Sequence, residues 1–104
     1  MTEDFYKKFA AKLDEARKAR DQARIEYLAA KRDYDLHLAK ARADLEASED
    51  PRKRRAASAL AKLETANERR ALDDARGKLD LLESVVTIEK DREWRKIRKG
   101  EYGA

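Results

Sequence analysis

The chain has 104 residues, of which 46% are charged, and it contains three Gly, one Pro and no Cys. This length allows one domain at most, and the lack of Cys excludes disulfide bonds and thiolate metal sites. The formal net charge of +4 is uneven, because residues 1–50 carry 11 basic and 12 acidic side chains, whereas residues 51–104 carry 15 basic and 10 acidic ones.

The composition predicts helices. A charged sequence poor in Gly and Pro is typical of long helices and coiled coils, and the apolar residues recur at helical spacing, which disordered segments rarely show. No apolar run approaches the ~20 residues needed to span a bilayer, and the charged start MTEDFYKKF does not resemble a signal peptide. We therefore expect a cytoplasmic protein, and the frequent Ala and Arg are typical of bacterial or phage proteins.

A first helix is predicted over residues 3–47. Its apolar residues alternate at spacings of three and four, which is the heptad pattern of a coiled-coil seam. Arg20 takes one place in this seam. The apolar members are Phe9, Leu13, Ala16, Ala23, Tyr27, Ala30, Tyr34, Leu38, Ala41 and Leu45.

A turn is predicted over residues 48–50, followed by a second helix over residues 51–98. Pro51 suits the first position of a helix, and Asp50 or Ser48 can cap that helix. Two helices of similar length joined by a short turn pack antiparallel, and residues whose numbers add up to about 99–102 should then face each other. The sequence thus predicts an all-α fold, a long antiparallel two-helix coiled-coil hairpin that forms one domain. Tyr27 should lie near Leu72, and Leu13 near Val86.

The seam of the second helix is less regular. Ala56, Leu60 and Leu63 share one face early in the helix. Further on, the seam is expected to rotate to a different set, which comprises Leu72, Ala75, Leu79, Leu82 and Val86.

Each helix also carries apolar residues outside its seam. One reading is that they are single exposed side chains, which folded proteins tolerate. The alternative, which we favour because these residues recur at helical spacing, is a second packing surface that forms a homodimer with a four-helix arrangement or binds a partner. The residues are Ile25, Leu28 and Leu36 in the first helix and Leu81, Val85 and Ile88 in the second.

Two basic clusters are candidate contacts for an acidic partner. The tip cluster is Arg52, Lys53, Arg54 and Arg55, where positive charge at a helix N-terminus opposes the helix dipole. Its partner is an acidic protein or a nucleic acid, and we favour a protein because no aromatic residue accompanies the tip. The C-terminal cluster comprises Arg92, Arg95, Lys96, Arg98 and Lys99, with Trp94 among them. These cations can neutralise phosphates while Trp94 stacks on a base. Alternatively they complement the helix dipole, and Trp94 packs with Ile97, Phe5, Tyr6 and Phe9 in an aromatic plug.

The sequence gives little indication of a catalytic or metal-binding site. His37 is the only histidine, and Asp33 is the one candidate ligand placed a helical turn before it. A metal site needs further ligands, and no Gly-rich phosphate loop is present. We therefore expect no enzyme activity, metal or cofactor. The preferred function is a non-enzymatic adaptor, regulator or inhibitor that binds a protein partner, and the alternative is a small basic nucleic-acid-associated protein.

Overall fold

A computed structural model describes the backbone of residues 2–98 and the side chains of residues 11–96 and 98. The described residues are almost entirely helical and form an all-α helical hairpin in which α1 and α4 pack against each other. No strand occurs among the described residues. The predicted hairpin is therefore confirmed. Its helices are α1 (Thr2–Glu46), α2 (Pro51–Arg55), α3 (Ala57–Glu64) and α4 (Ala66–Arg98).

The hairpin divides into two compact units. The terminal unit joins Met1–Ile25 to Gly77–Ala104, and the tip unit is Glu26–Arg76. In both units the predicted seam of α1 faces inward: each of its members from Leu13 to Leu45 is buried or half-buried, and Arg20 is half-buried in the place it was expected to fill. The heptad pattern thus predicts this face correctly.

The returning helices bury residues that the apolar pattern does not single out. In the tip unit Ala57, Ala61 and Thr65 are buried, whereas Leu63 is 72% exposed. The prediction that Leu63 shares the inward face is therefore wrong. The seam instead continues through Ala61, which is small, and Thr65, which is polar. The inward face of the returning helices therefore does not rotate as predicted. In the terminal unit the seam was predicted correctly, since Leu79 and Val86 are buried and Leu82 is half-buried.

The predicted second helix consists of three successive helices, which meet at Ala56 and Thr65. Each junction residue is hydrogen-bonded to the helices on both sides. The Ala56 amide donates to the Arg52 carbonyl at 3.1 Å, and its carbonyl accepts from the Leu60 amide at 2.9 Å. The Thr65 amide donates to the Ala61 carbonyl at 3.1 Å, and its carbonyl accepts from the Arg69 amide at 3.0 Å.

The Thr65 hydroxyl also donates to the Ala61 carbonyl at 2.8 Å. Ser84 and Thr87 make the same kind of bond inside the uninterrupted α4, so the bond alone does not break a helix. At Thr65 it accompanies a backbone outside the helical range, with φ −102° and ψ 19°.

The turn closes as the sequence predicts. The carboxylate of Asp50 accepts a hydrogen bond from the Arg52 amide at 2.9 Å, and the Ser48 hydroxyl accepts one from the Asp50 amide at 3.2 Å. Pro51 occupies the start of α2, where its missing N–H costs nothing. Asp50 is thus the N-cap.

The cross-helix contacts lie near the predicted register or a few residues beyond it. Arg69 lies over the Tyr34 ring, one residue beyond the range that the rule sets opposite Tyr34. Arg24 Nη2 lies 3.6 Å from Glu83 Oε1, five residues beyond the range set opposite Arg24. α2 has no buried residue, so its five residues do not take part in the seam. The return seam begins only at Ala56 and Ala57.

Candidate protein interface on the outer face of α4

An exposed row of residues runs along α4 in the terminal unit. We call it the α4 stripe, and it comprises Leu81, Val85, Ile88, Arg92 and Arg95. Its spacings of four, three, four and three keep all members on one face of the helix. Leu81 is 65% exposed, Val85 36% and Ile88 49%. α4 therefore carries two apolar rows, one buried against α1 and one open to solvent.

The α4 stripe changes from apolar to basic along its length. Arg92 and Arg95 are both exposed, and they follow Ile88 at the same helical spacing. Arg92 Nη1 lies 3.3 Å from Glu89 Oε1, and the side chain of Glu89 is largely buried while that of Arg92 is 61% exposed. The guanidinium of Arg92 thus keeps most of its surface available. Lys99 would continue the row but lies outside the described residues.

Gly77 begins the segment of α4 that carries the stripe. It lies within the helix and is exposed, and a Cβ atom added there would meet nothing within 4 Å. Glycine inside a helix costs about 1 kcal/mol relative to alanine. No close contact among the described residues accounts for this cost.

A shallow depression borders the stripe at Ile88 and is otherwise lined by polar side chains of α4. Its two hydroxyls are occupied by their own helix, since Ser84 donates to the Asp80 carbonyl at 3.1 Å and Thr87 to the Glu83 carbonyl at 3.1 Å. Neither hydroxyl is bonded to a side-chain base, so the depression has the features of a helix surface.

The exposed apolar residues of α1 fall in both units. Ile25 belongs to the terminal unit, and Leu28 and Leu36 belong to the tip unit. All three are more than half exposed. Within the tip unit, Leu28 and Leu36 lie two helical turns apart with Arg32 between them, on the side of α1 away from its seam.

All four residues of the tip cluster are exposed. Arg54, however, has a structural use: its Nη1 donates to the backbone carbonyl of Ser48 at 2.9 Å and lies 3.3 Å from that of Glu49. The position of Arg54 therefore has a structural reason, in addition to its predicted contact with an acidic partner. Arg52, Lys53 and Arg55 remain candidate contacts for an acidic surface.

The C-terminal cluster does not share one face. Trp94 is 61% exposed and borders a depression of about 250 Å³ that is also lined by Leu13, Arg17, Lys90 and Glu93. Residues two apart in a helix project to nearly opposite sides, so Trp94 and Arg92 diverge. Lys96 is half-buried and Arg98 is exposed. The aromatic plug stays a prediction, because the side chains of Phe5, Tyr6, Phe9 and Ile97 lie outside those described.

The polar residues of the tip unit are joined in pairs. His37 Nδ1 lies 3.4 Å from Glu68 Oε1, and the guanidinium carbon of Arg69 lies 5.5 Å from the centre of the Tyr34 ring. Hydrogen bonding to the Tyr34 side chain, with the charge of Asp73 as a smaller cause, holds the pKa of Arg69 above its ordinary value. No group of three metal-ligating side chains occurs among the described residues.

None of the helices in the described part of the chain combines the length and the apolar character needed to cross a membrane. No family model, curated protein or solved structure matches the chain.

Proposed function

We propose that this chain is a non-enzymatic protein-binding module, a small helical adaptor, regulator or inhibitor, that contacts its partner through the α4 stripe. The observation that supports this is the exposed row of Leu81, Val85 and Ile88 in a chain of which 46% is charged. Single exposed aliphatic residues are common on protein surfaces. A row of three at heptad spacing is the pattern by which one helix packs against another.

Burial of this row would stabilise a complex. Full burial of an aliphatic side chain contributes about 1.5–3 kcal/mol, and the three aliphatic residues of the stripe are only partly covered by the chain itself. The surrounding charged residues would form the polar rim that is usual at protein interfaces.

The experiment compares partner capture by the full chain and by two surface variants. Leu81→Glu with Ile88→Glu charges the stripe, whereas Leu63→Glu charges an exposed leucine in the tip unit. A specific partner retained by the full chain and by Leu63→Glu, but lost from the double variant, supports the proposal. Equal capture by all three chains contradicts it.

A nucleic-acid role is the alternative function, and it has weaker support. Arg92 lies on a different side of α4 from Trp94, so the predicted cluster does not act as one surface. The cations beside Trp94 are Arg17 and Lys90, and the carboxylate of Glu93 lines the same depression and opposes phosphate binding. Binding to duplex or single-stranded DNA that weakens steeply with salt would favour this alternative.

A further inference from the structure

We propose that the segment that docks on the α4 stripe is an acidic amphipathic helix of the partner protein. Its apolar residues would pack on Leu81, Val85 and Ile88, and its carboxylates would pair with Arg92 and Arg95. This inference rests on the proposed function, because it specifies the chemistry of the partner for the same surface.

The shape of the stripe favours a helical ligand. Its five residues follow the alternating spacing of a coiled-coil seam, and the row from Leu81 to Arg95 extends for about 21 Å along the helix axis at 1.5 Å per residue. A partner helix can match this row turn by turn, with residues at its own spacing of three and four. An extended peptide places alternate side chains on opposite faces, so it would not follow the row in the same way.

The charge of the stripe favours an acidic ligand. Arg92 and Arg95 end the row, and the acidic neighbour Glu89 is largely buried. A guanidinium binds a carboxylate through paired hydrogen bonds, so Asp or Glu of the partner would satisfy both arginines. The apolar half would supply affinity, and the two arginines would set the direction and the choice of partner.

A second copy of α4 fits the stripe poorly. If two stripes packed antiparallel about Ile88, Arg92 and Arg95 would lie across from Val85 and Leu81. If they packed parallel, the arginines of the two copies would lie side by side and repel each other. In neither arrangement does a stripe residue of the second copy supply a carboxylate, because the stripe contains none. Charge complementarity therefore favours a different, acidic helix.

Gly77 is compatible with the same geometry. It lies one helical turn before Leu81, and the space around its Cα is open. A glycine on the surface of a helix permits the backbone of a second helix to approach closely. We therefore place the apolar end of the docked helix near Gly77.

The probes for the test are synthetic helical peptides. The acidic peptide has leucine at the seam positions of its apolar half and glutamate at those of the other half, and the basic peptide has lysine in place of these glutamates. Each is made in both chain directions. Fluorescence anisotropy of the labelled peptide measures its binding to the full chain. We expect the acidic peptide to bind at least about tenfold more tightly than the basic one, in line with two ion pairs at a surface.

Charge exchange gives the decisive comparison. Arg92→Glu with Arg95→Glu should reverse the preference, so that the basic peptide binds more tightly. Arg92→Gln with Arg95→Gln should abolish the preference. The matched control, Lys90→Glu with Arg98→Glu, makes the same change in net charge on α4 outside the spacing of the stripe, and it should leave the preference unchanged. Circular dichroism verifies that each variant keeps its helix content.

The inference is overturned if neither peptide binds at high micromolar concentration, if both bind equally, or if the control reverses the preference as well. These results leave the proposed function standing as long as partner capture still depends on Leu81 and Ile88. If capture is independent of those residues, the proposed function itself fails.

Discussion

Arg54 donates a hydrogen bond from Nη1 to the backbone carbonyl of Ser48 at 2.9 Å, which ties α2 to the chain that leaves α1. Ser48 and Glu49 lie in the turn beyond the end of α1 at Glu46, and hydrogen bonds from a charged donor to their carbonyls are stronger than neutral ones. These bonds offset the unfavourable position of a cation near the start of α2. One residue of the tip cluster thus stabilises the turn, and its neighbours do not share this contact.

We expect Arg54→Ala to lower the free energy of unfolding by about 1 kcal/mol, because an exposed charged hydrogen bond to the turn is lost. Arg55→Ala is the matched control and should change it by less than about 0.5 kcal/mol. Urea unfolding followed by circular dichroism measures both variants. Equal losses in the two would show that the Arg54 contact with Ser48 does not stabilise the turn.

The two apolar rows of α4 should differ sharply in their response to truncation. Leu79 is buried in the seam and Leu81 is 65% exposed in the stripe. Leu79→Ala should cost about 2–3 kcal/mol of stability through lost burial and a cavity, whereas Leu81→Ala should cost less than about 0.5 kcal/mol. Chemical denaturation compares the pair. A larger loss for Leu81→Ala would mean that the stripe, and not the predicted seam, faces α1.

Gly77→Ala should stabilise the isolated chain by about 1 kcal/mol, because alanine favours the helix and the added methyl group meets nothing. A thermal melt gives the direction of the change. Under the docking geometry proposed above, the same variant should bind the acidic peptide more weakly despite its greater stability. A destabilised chain would show that Gly77 makes a close contact within the fold.

We expect the chain to form a homodimer in solution through Leu28 and Leu36, which are exposed on α1 in the tip unit. Leu28→Glu with Leu36→Glu should shift the dimer to monomer without loss of helix content. Light scattering over a range of concentrations measures the mass. The monomer mass alone at high micromolar concentration would refute dimerisation.

The sequence predicts the hairpin because its local signals agree with one another. Pro51 and Asp50 mark the turn, and the large apolar residues of α1 mark its seam. The return seam is harder to predict, since it continues through Ala61 and Thr65, whose size and polarity give a weak apolar signal. The apolar pattern does not encode the junction at Thr65, where the backbone leaves the helical range.

The sequence likewise predicts some features of the candidate interface and misses others. The exposed aliphatic residues of α4 were evident from spacing, because they fall outside the seam. The contact of Arg54 with the turn carbonyls was missed, since it depends on how the chain folds back after α1. The spacing of Arg92 and Arg95 is enough to place them in line with the apolar row. Grouping by charge alone instead joins them to Trp94, which lies on another side of the helix.

The central claim is that the α4 stripe is the surface that binds the partner protein, and site-specific photo-crosslinking in cells that express the chain tests it most directly. A photoreactive phenylalanine analogue replaces Val85 in the stripe or, as the control, Lys90 on another side of α4. We predict a discrete protein adduct from position 85 that is absent from position 90 and is lost when Leu81 and Ile88 are changed to Glu. An adduct from position 90 alone, or no adduct from position 85 when a partner is otherwise captured, would contradict the claim.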